Sequence, residues 1–344
     1  MNALSRYFVV AGLPALLLAG LYYQGAIAAQ SDPVLKKKSA KRSTGQLPGL
    51  MLEDGTNLAA LRVRGKSLSL VRGQNGFFTK ADESRYKQLY RQARQDPAFP
   101  VQWQLRNLDT GKVVSRSAGS ERNFYGASVT KVFTAGAWLA RHKGQHTPAG
   151  LQLLADMITV SSNRAWQILQ NQSAEGSLSG QQAVAGFSKG LGIKKTKPWR
   201  GWLGSNHGNE TNAADLNEFM LKTYRKAYPG AGTLWSLLHT CRTGSRKALK
   251  WLPASMLVGG KTGTYHGPTV HAVTGKPYRA RVHHHTLTFR SGGQQYALSI
   301  LSDRGRNDDV ALVAGGLYRQ FLKTKDRSLQ AANDQTESAT ARKL

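Results

Sequence analysis

The sequence predicts an α+β domain in which one sheet packs between helices. Three observations predict it. Alternating strand patterns stand at both ends of the central region, helical periodicity fills the stretch between them, and 40% hydrophobic residues in a chain of 344 suffice to bury a core. A sheet assembled from such a chain brings its first and last strands together.

Taken from the start, Arg6 precedes an uncharged run from Tyr7 to Ala29, with an apolar heart from Val9 to Leu18 and small residues Ala26, Ala28 and Ala29 at its end. That is the layout of a secretory signal. The run is also long enough to cross a bilayer, so residues 1–29 are either a signal peptide or a membrane anchor. Both readings predict a periplasmic or extracellular protein, secreted or anchored to the cytoplasmic membrane. Residues 30–48, with Lys36, Lys37, Lys38, Lys41 and Arg42, lack an apolar face and read as a basic linker.

Residues 49–98 form an N-terminal extension and first helix. Leu61, Val63, Leu68 and Leu70 alternate as a small hairpin would, and Ser84 to Arg94 reads as a helix capped by Asp82 or Ser84, with Tyr86, Leu89 and Tyr90 on one face. Residues 99–322 form the main domain. Val101 to Leu108 alternates as a strand, Asp109 to Lys112 is a turn and Val113 to Ser117 returns. A helix begins near Ser128 and points Val129, Val132, Phe133, Ala137 and Leu139 inward. Helical patterns continue through Leu151 to Leu169 and Asp215 to Tyr228. Strands come next at Met256 to Thr264, Val282 to Phe289 and Tyr296 to Leu301, and a last helix at Asp308 to Leu322. Residues 323–344 read as a disordered polar tail.

The charge narrows the partners. With 48 Lys and Arg against 19 Asp and Glu, the formal charge is +29, which favours anionic cell-envelope polymers. Nucleic acid is not predicted, because no zinc spacing, basic zipper or ribonucleoprotein aromatic pattern accompanies the charge. The single cysteine, Cys241, excludes an internal disulfide and a cysteine metal cage, and reads as a packed thiol. His283, His284 and His285 alternate across a strand and cannot converge on one ion, so no metal and no cofactor is predicted.

Three short motifs carry the chemistry, and their order matters more than any one of them. Ser128-Val129-Thr130-Lys131 opens an apolar helix, so serine and lysine project one turn apart from one face. A desolvated lysine can take the serine proton, and the helix N-terminus offers N–H groups to a developing oxyanion. A second S-x-x-K, Ser84 to Lys87, reads as helix surface. Ser161-Ser162-Asn163 ends a helical stretch; its hydroxyl can relay a proton and its amide can contact a substrate carbonyl. Lys261-Thr262-Gly263-Thr264 closes an apolar strand. There Gly263 would admit a substrate backbone, Lys261 and Thr262 would meet a carboxylate, and the Thr264 N–H would join that of Ser128. Arg279, Arg281, Arg290 and Arg304 are further candidates for a carboxylate clamp.

This set, in this order, resembles that of class A β-lactamases and penicillin-binding proteins. Met157 to Asn163 is similar to the corresponding class A phrase except for Ser162 in place of the usual Asp, and Thr211 to Leu216 is similar to the start of the next helix. The resemblance covers roughly Val101 to Leu322. It implies a five-stranded antiparallel sheet flanked by helices plus a helical lobe, with Ser128 acylated, Lys131 its base, Ser161 and Lys261 partners in proton transfer and carboxylate recognition, and Asn163 a substrate contact. The short separation of Ser128 from Ser161 implies a reduced lobe.

One departure bears on activity. The resemblance leads one to expect an E-x-x-x-N glutamate that activates water for deacylation; here Glu175 and Glu210, the only glutamates between Asn163 and Asp215, are followed four positions later by Ser179 and Ala214. The region instead reads Lys197 to Trp202, basic and aromatic, with Trp199 and Trp202 as candidate cleft residues. The expectation is an exported serine hydrolase or acyl-transferase acting on D-Ala peptidoglycan peptides or β-lactams, with slow deacylation. A hydrolytic class A-like β-lactamase and a non-catalytic envelope-binding protein are the alternatives.

Overall fold

The structure is a computed structural model that describes residues 49–197, 209–245, 247–270, 274–324 and 326. The apolar N-terminal run, the basic linker, Trp199 and Trp202, and the tail beyond 326 lie outside the described residues. Among the described residues no helix is long and apolar enough to cross a membrane.

A 3-10 turn, Leu58–Ala60, capped by the Asn57 side chain, leads into the hairpin of β1 (Arg62–Val63) and β2 (Lys66–Ser67), whose Val63 is buried with Leu58 and Leu68. Helix α1 (Lys80–Gln95) comes next. Its cap is Thr79, a correction to the predicted Asp82 or Ser84: Thr79 and Asp82 form a reciprocal capping box, and Asp82 is the box's far partner. Strands β3 (Val101–Asn107) and β4 (Val113–Arg116) make the predicted hairpin. The two-residue β5 (Phe124–Tyr125) then brings the chain to a 3-10 turn, Ala127–Thr130, which passes into α2 (Lys131–Arg141).

The predicted helix through Leu151 to Leu169 is two helices, α3 (Pro148–Thr159) and α4 (Asn163–Gln172). Between them Ser161 takes φ of 63°, which no helix tolerates, and Ser162 caps α4 by accepting from Ala165 N–H. Ser162 therefore does the job its small polar side chain suits. Helix α5 (Gly180–Gly190) is not predicted by periodicity, since glycines interrupt its apolar stripe; the capping box of Ser179 with Gln182 is the signal that marks it. Strand β6 (Glu210–Thr211) pairs with β5, and α6 (Ala213–Tyr224) and the equally unpredicted α7 (Ala231–Leu238) complete the lobe. Strands β7 (Val258–Val270) and β8 (Pro277–Ser291) form a hairpin longer than predicted, followed by β9 (Gln294–Ser302) and α8 (Asn307–Phe321). Past α8, Asp326 accepts from Ser291 Oγ and Tyr318 OH, which anchors the first residues of the predicted tail.

The five-stranded sheet has the order β4-β3-β9-β8-β7, antiparallel throughout, so the first main strand meets the last as predicted. Strand alternation divides the core in two. Trp103, Leu105, Leu298 and Ile300 face α1 and α8, whereas Ala297 and Leu301 face the helices α2 to α7. β7 lies at the sheet's edge, and that edge borders the Ser128 turn.

Candidate active site

The turn that carries Ser128 is held from several directions. His284, wholly buried in β8, accepts from the Ser302 N–H through Nδ1, so its proton sits on Nε2 and is donated to Tyr125 carbonyl at 2.8 Å. Burial pushes this imidazole down to about 3, which keeps it neutral. Asn209 braces the next residues: its carbonyl accepts from Gly126 N–H at 2.9 Å and its Nδ2 donates to Ala127 carbonyl at 3.3 Å. Ala127 is left with φ of 47°, a conformation that costs a non-glycine residue about 1 kcal/mol and persists because the surroundings impose it.

Gly263 explains how the strand comes so near. A Cβ there would lie 2.8 Å from the Gly126 carbonyl oxygen and 2.9 Å from the Val129 nitrogen. The glycine thus admits the chain's own Ser128 turn. Thr264, one residue on, is placed beside the same turn.

Ser128 itself is half-buried, and Lys131 N–H donates to the Ser128 carbonyl, one turn on. The Lys131 ammonium, buried, donates to Asn163 Oδ1 at 2.6 Å and Ser161 carbonyl at 2.7 Å, and lies 3.4 Å from Ser161 Oγ. Among the described residues no hydrogen bond joins it to the Ser128 hydroxyl; in substrate-free sites such bonds commonly form only when substrate closes them. Lys261 Nζ, fully buried on β7, donates to Ser161 Oγ at 2.8 Å and to Thr262 carbonyl at 3.0 Å. Both lysines therefore converge on one hydroxyl. Burial, and then the neighbouring Lys261 charge, push Lys131 down to about 6. Burial pushes Lys261 down to about 8, with Cys241 acting in the other direction.

The motif residues separate by the pleat of β7. Lys261 and Gly263 face the Ser161 side, while Thr262 turns to the opposite face, where its hydroxyl is hydrogen-bonded to Thr243 Oγ1 and its side chain is buried. Beneath that face lies Lys247, which sequence reasoning missed: its Nζ donates to Thr264 Oγ1 at 2.7 Å, Gly263 carbonyl at 3.0 Å and His284 carbonyl at 3.2 Å. Burial, then Lys261, push it down to about 7, opposed by Cys241. This is the cation that reaches the motif strand, rather than the four arginines. Arg279 and Arg281 sit opposite Pro268 and His266 and are both exposed, Arg290 bonds Gly293 carbonyl, and Arg304 pairs with Asp309 at 3.2 Å. Tyr265 stands two residues past Gly263, its ring centroid 4.9 Å from that of Tyr125.

The remaining candidates find other partners. His283 meets His266 at 2.9 Å between Nε2 atoms, while His284 braces Tyr125. Cys241 is buried 3.2 Å from Thr243 Oγ1. In the second S-x-x-K, Ser84 bonds Lys80 carbonyl and Lys87 pairs with Glu83, both on the surface of α1. Glu175 pairs with Arg141, and Glu210 hydrogen-bonds Lys197 through its backbone while its Oε2 lies 3.5 Å from Asn123 Nδ2. Chemically, the site offers a serine on a strained turn and two lysines of lowered basicity linked through a second serine.

The fold has known counterparts. A family model described as the beta-lactamase enzyme family matches residues 142–316, just over half of the chain's 344, a span that includes Ser161, Asn163 and Lys261 and begins after Lys131. A beta-lactamase from Desulfarculus baarsii is similar in fold with a TM-score of 0.55 and 19% identity, over 69% of this chain and 97% of that one. A beta lactamase from Xanthomonas campestris pv. campestris gives 0.54 at 15% identity, over 69% and 97%. A variant of a reconstructed class A beta-lactamase, that of the last common ancestor of Gram-negative bacteria, gives 0.53 at 17% identity, over 70% and 98%. At such identities the likeness speaks for the fold alone. No curated protein sequence matches significantly.

Proposed function

The chain belongs to the beta-lactamase enzyme family, and from that premise we propose that it is an exported serine acyl-transfer enzyme, acylated at Ser128 and acting on D-Ala peptidoglycan peptides or the β-lactams that mimic them. The observation that carries this reading is the pair of lysines on the Ser161 hydroxyl, Lys261 at 2.8 Å and Lys131 at 3.4 Å, beside the Ser128 turn.

In this reading neutral Lys131 takes the Ser128 proton as Oγ attacks the carbonyl carbon, and the oxyanion is met by backbone N–H groups of Ser128 and Thr264. The proton then passes through Ser161 to the departing nitrogen, the C–N bond breaks, and the acyl group stays on Ser128 as an ester. Lys261 and Lys247 supply the positive potential that draws a substrate carboxylate to β7. Water must later attack the ester, and the glutamates nearest in sequence, Glu175 and Glu210, are engaged with Arg141 and with Lys197 and Asn123. Slow deacylation is therefore part of the proposal, as is work outside the cytoplasmic membrane, which the run from Tyr7 to Ala29 supports. The charge of +29 supports attraction to anionic envelope polymers.

The test is covalent labelling by a fluorescent penicillin on a denaturing gel, with Ser128→Ala and Lys131→Ala alongside. A stable band is expected that Ser128→Ala abolishes and Lys131→Ala delays. No band with rapid loss of the antibiotic would replace the proposal with a hydrolytic β-lactamase, and no band without loss would leave a non-catalytic binder.

A further inference from the structure

The open groove between α1 and α8, on the face of the sheet away from Ser161, has a volume of about 710 Å³, the size of a small-ligand site. Its floor is aromatic. Tyr90 and the largely buried Tyr86 lie there with ring centroids 5.6 Å apart beside Phe78, and Gly316 makes room for Tyr86, since a Cβ at that position would come within 2.2 Å of its ring. Its wall is cationic. Lys87, Arg91 and Arg94 recur along α1 at spacings of four and three, which places them on one stripe of the helix. Arg319 closes the groove from α8, its guanidinium 5.1 Å from the Phe78 ring centroid. Against these cations stands one lining acid, Glu83, already 3.0 Å from Lys87. Among the described residues Arg91 has no ion-pair or hydrogen-bond partner, so its charge is uncompensated.

Guanidinium groups take phosphate oxygens two at a time, and tyrosine rings receive a planar or aliphatic body beside them. We propose that the α1–α8 groove binds an amphiphilic phosphate ester, its phosphate on Arg91, Arg94 and Arg319 and its apolar body on Tyr86 and Tyr90. A nucleotide and a phospholipid headgroup both have this chemistry.

Calorimetric titration of the full chain with adenosine monophosphate and with dihexanoyl phosphatidylglycerol below its micelle concentration, each compared with inorganic phosphate, separates the two sources. One ester is expected to bind at least about tenfold more tightly than inorganic phosphate, and Arg91→Glu combined with Arg319→Glu to weaken it by about tenfold or more. Thermal unfolding checks that the variants fold; should the double variant fail, Arg91→Glu alone, expected to weaken binding about threefold or more, decides. Lys189→Glu, an exposed charge reversal on α5, controls for bulk charge and is expected to leave binding unchanged. Affinities no better than that of inorganic phosphate, or equal losses from the α1 and α5 reversals, would overturn the site.

Discussion

Lys261 donates to the Ser161 hydroxyl at 2.8 Å, although the two residues are a hundred positions apart and sit on different layers of the fold, one on the edge strand and one at the α3–α4 break. That bond ties the second and third motifs together before any substrate arrives. It also holds the Lys261 charge near enough to Lys131 to lower the basicity of that amine.

Acylation should follow a bell-shaped pH profile. Lys131, lowered to about 6, must be neutral to accept the Ser128 proton, so the rate climbs as pH rises through that value. Lys261, lowered to about 8, must keep its charge to hold a carboxylate, so the rate declines above it. The two groups are coupled and the limbs belong to the pair. Stopped-flow labelling from pH 5 to 10 measures the profile, and a rate that still climbs past pH 9 would rule out the role given to Lys261.

Asn163→Asp should displace the acid limb upward. The substitution sets a carboxylate where Oδ1 now receives Lys131 at 2.6 Å, and an adjacent opposite charge stabilises the ammonium, typically by about 1–3 pH units. Relative to the unsubstituted protein at the same pH, labelling falls at pH 7 and recovers at pH 9. Loss at every pH would mean that Asn163 acts on the substrate instead.

Lys131→Ala should slow acylation by about a hundred- to ten-thousandfold, the usual contribution of a positioned base. The unfolding midpoint of this variant separates lost chemistry from lost structure.

Gly263→Ala should damage both stability and labelling. The new methyl meets backbone atoms of Gly126 and Val129 at under 3 Å, which cannot swing aside as a side-chain tip would. Overpacking of this kind costs about 1–3 kcal/mol, seen as a lower denaturation midpoint. Labelling should fall further than stability alone explains, because the displaced atoms are those that flank Ser128.

Acid should destabilise the fold through buried histidines. Burial holds His239 down to about 4 and both His284 and His285 to about 3, against an ordinary 6.5. Between those values the unfolded chain binds protons that the folded chain refuses, so the contribution of these rings is complete above pH 6.5 and drains away as pH falls toward 3. Each group contributes up to about 1.4 kcal/mol per pH unit in that window. Thermal melts from pH 7.5 to 4 read it out; a flat midpoint would show that these rings are charged in the folded state.

Much of the fold is legible in the chain. The hairpin of β3 and β4, the helix behind Ser128 and the final strands announce themselves by period, and the motifs that place Ser128, Lys131, Ser161 and Lys261 stand in order. What is not legible depends on contacts far apart in sequence. Lys247 lies in a stretch without period, among Ala248, Leu249 and Leu252, and only folding carries its amine beneath β7. The surroundings of Thr262 and Gly263 are hidden because a motif has no faces until its strand has a partner; pairing with β8 turns the hydroxyl to Thr243 and the glycine to Gly126. Strand lengths are hidden for a related reason: β7 and β8 run on because they sustain each other.

β7 is an outermost strand of thirteen residues, flanked by β8 alone in its sheet. A border paired on one side alone can receive the border of another copy. Mutual repulsion between molecules that each carry +29 keeps such borders apart in dilute buffer. Concentrated salt removes that protection, so clumping, and not lost catalysis, is the hazard of storing the protein at high ionic strength.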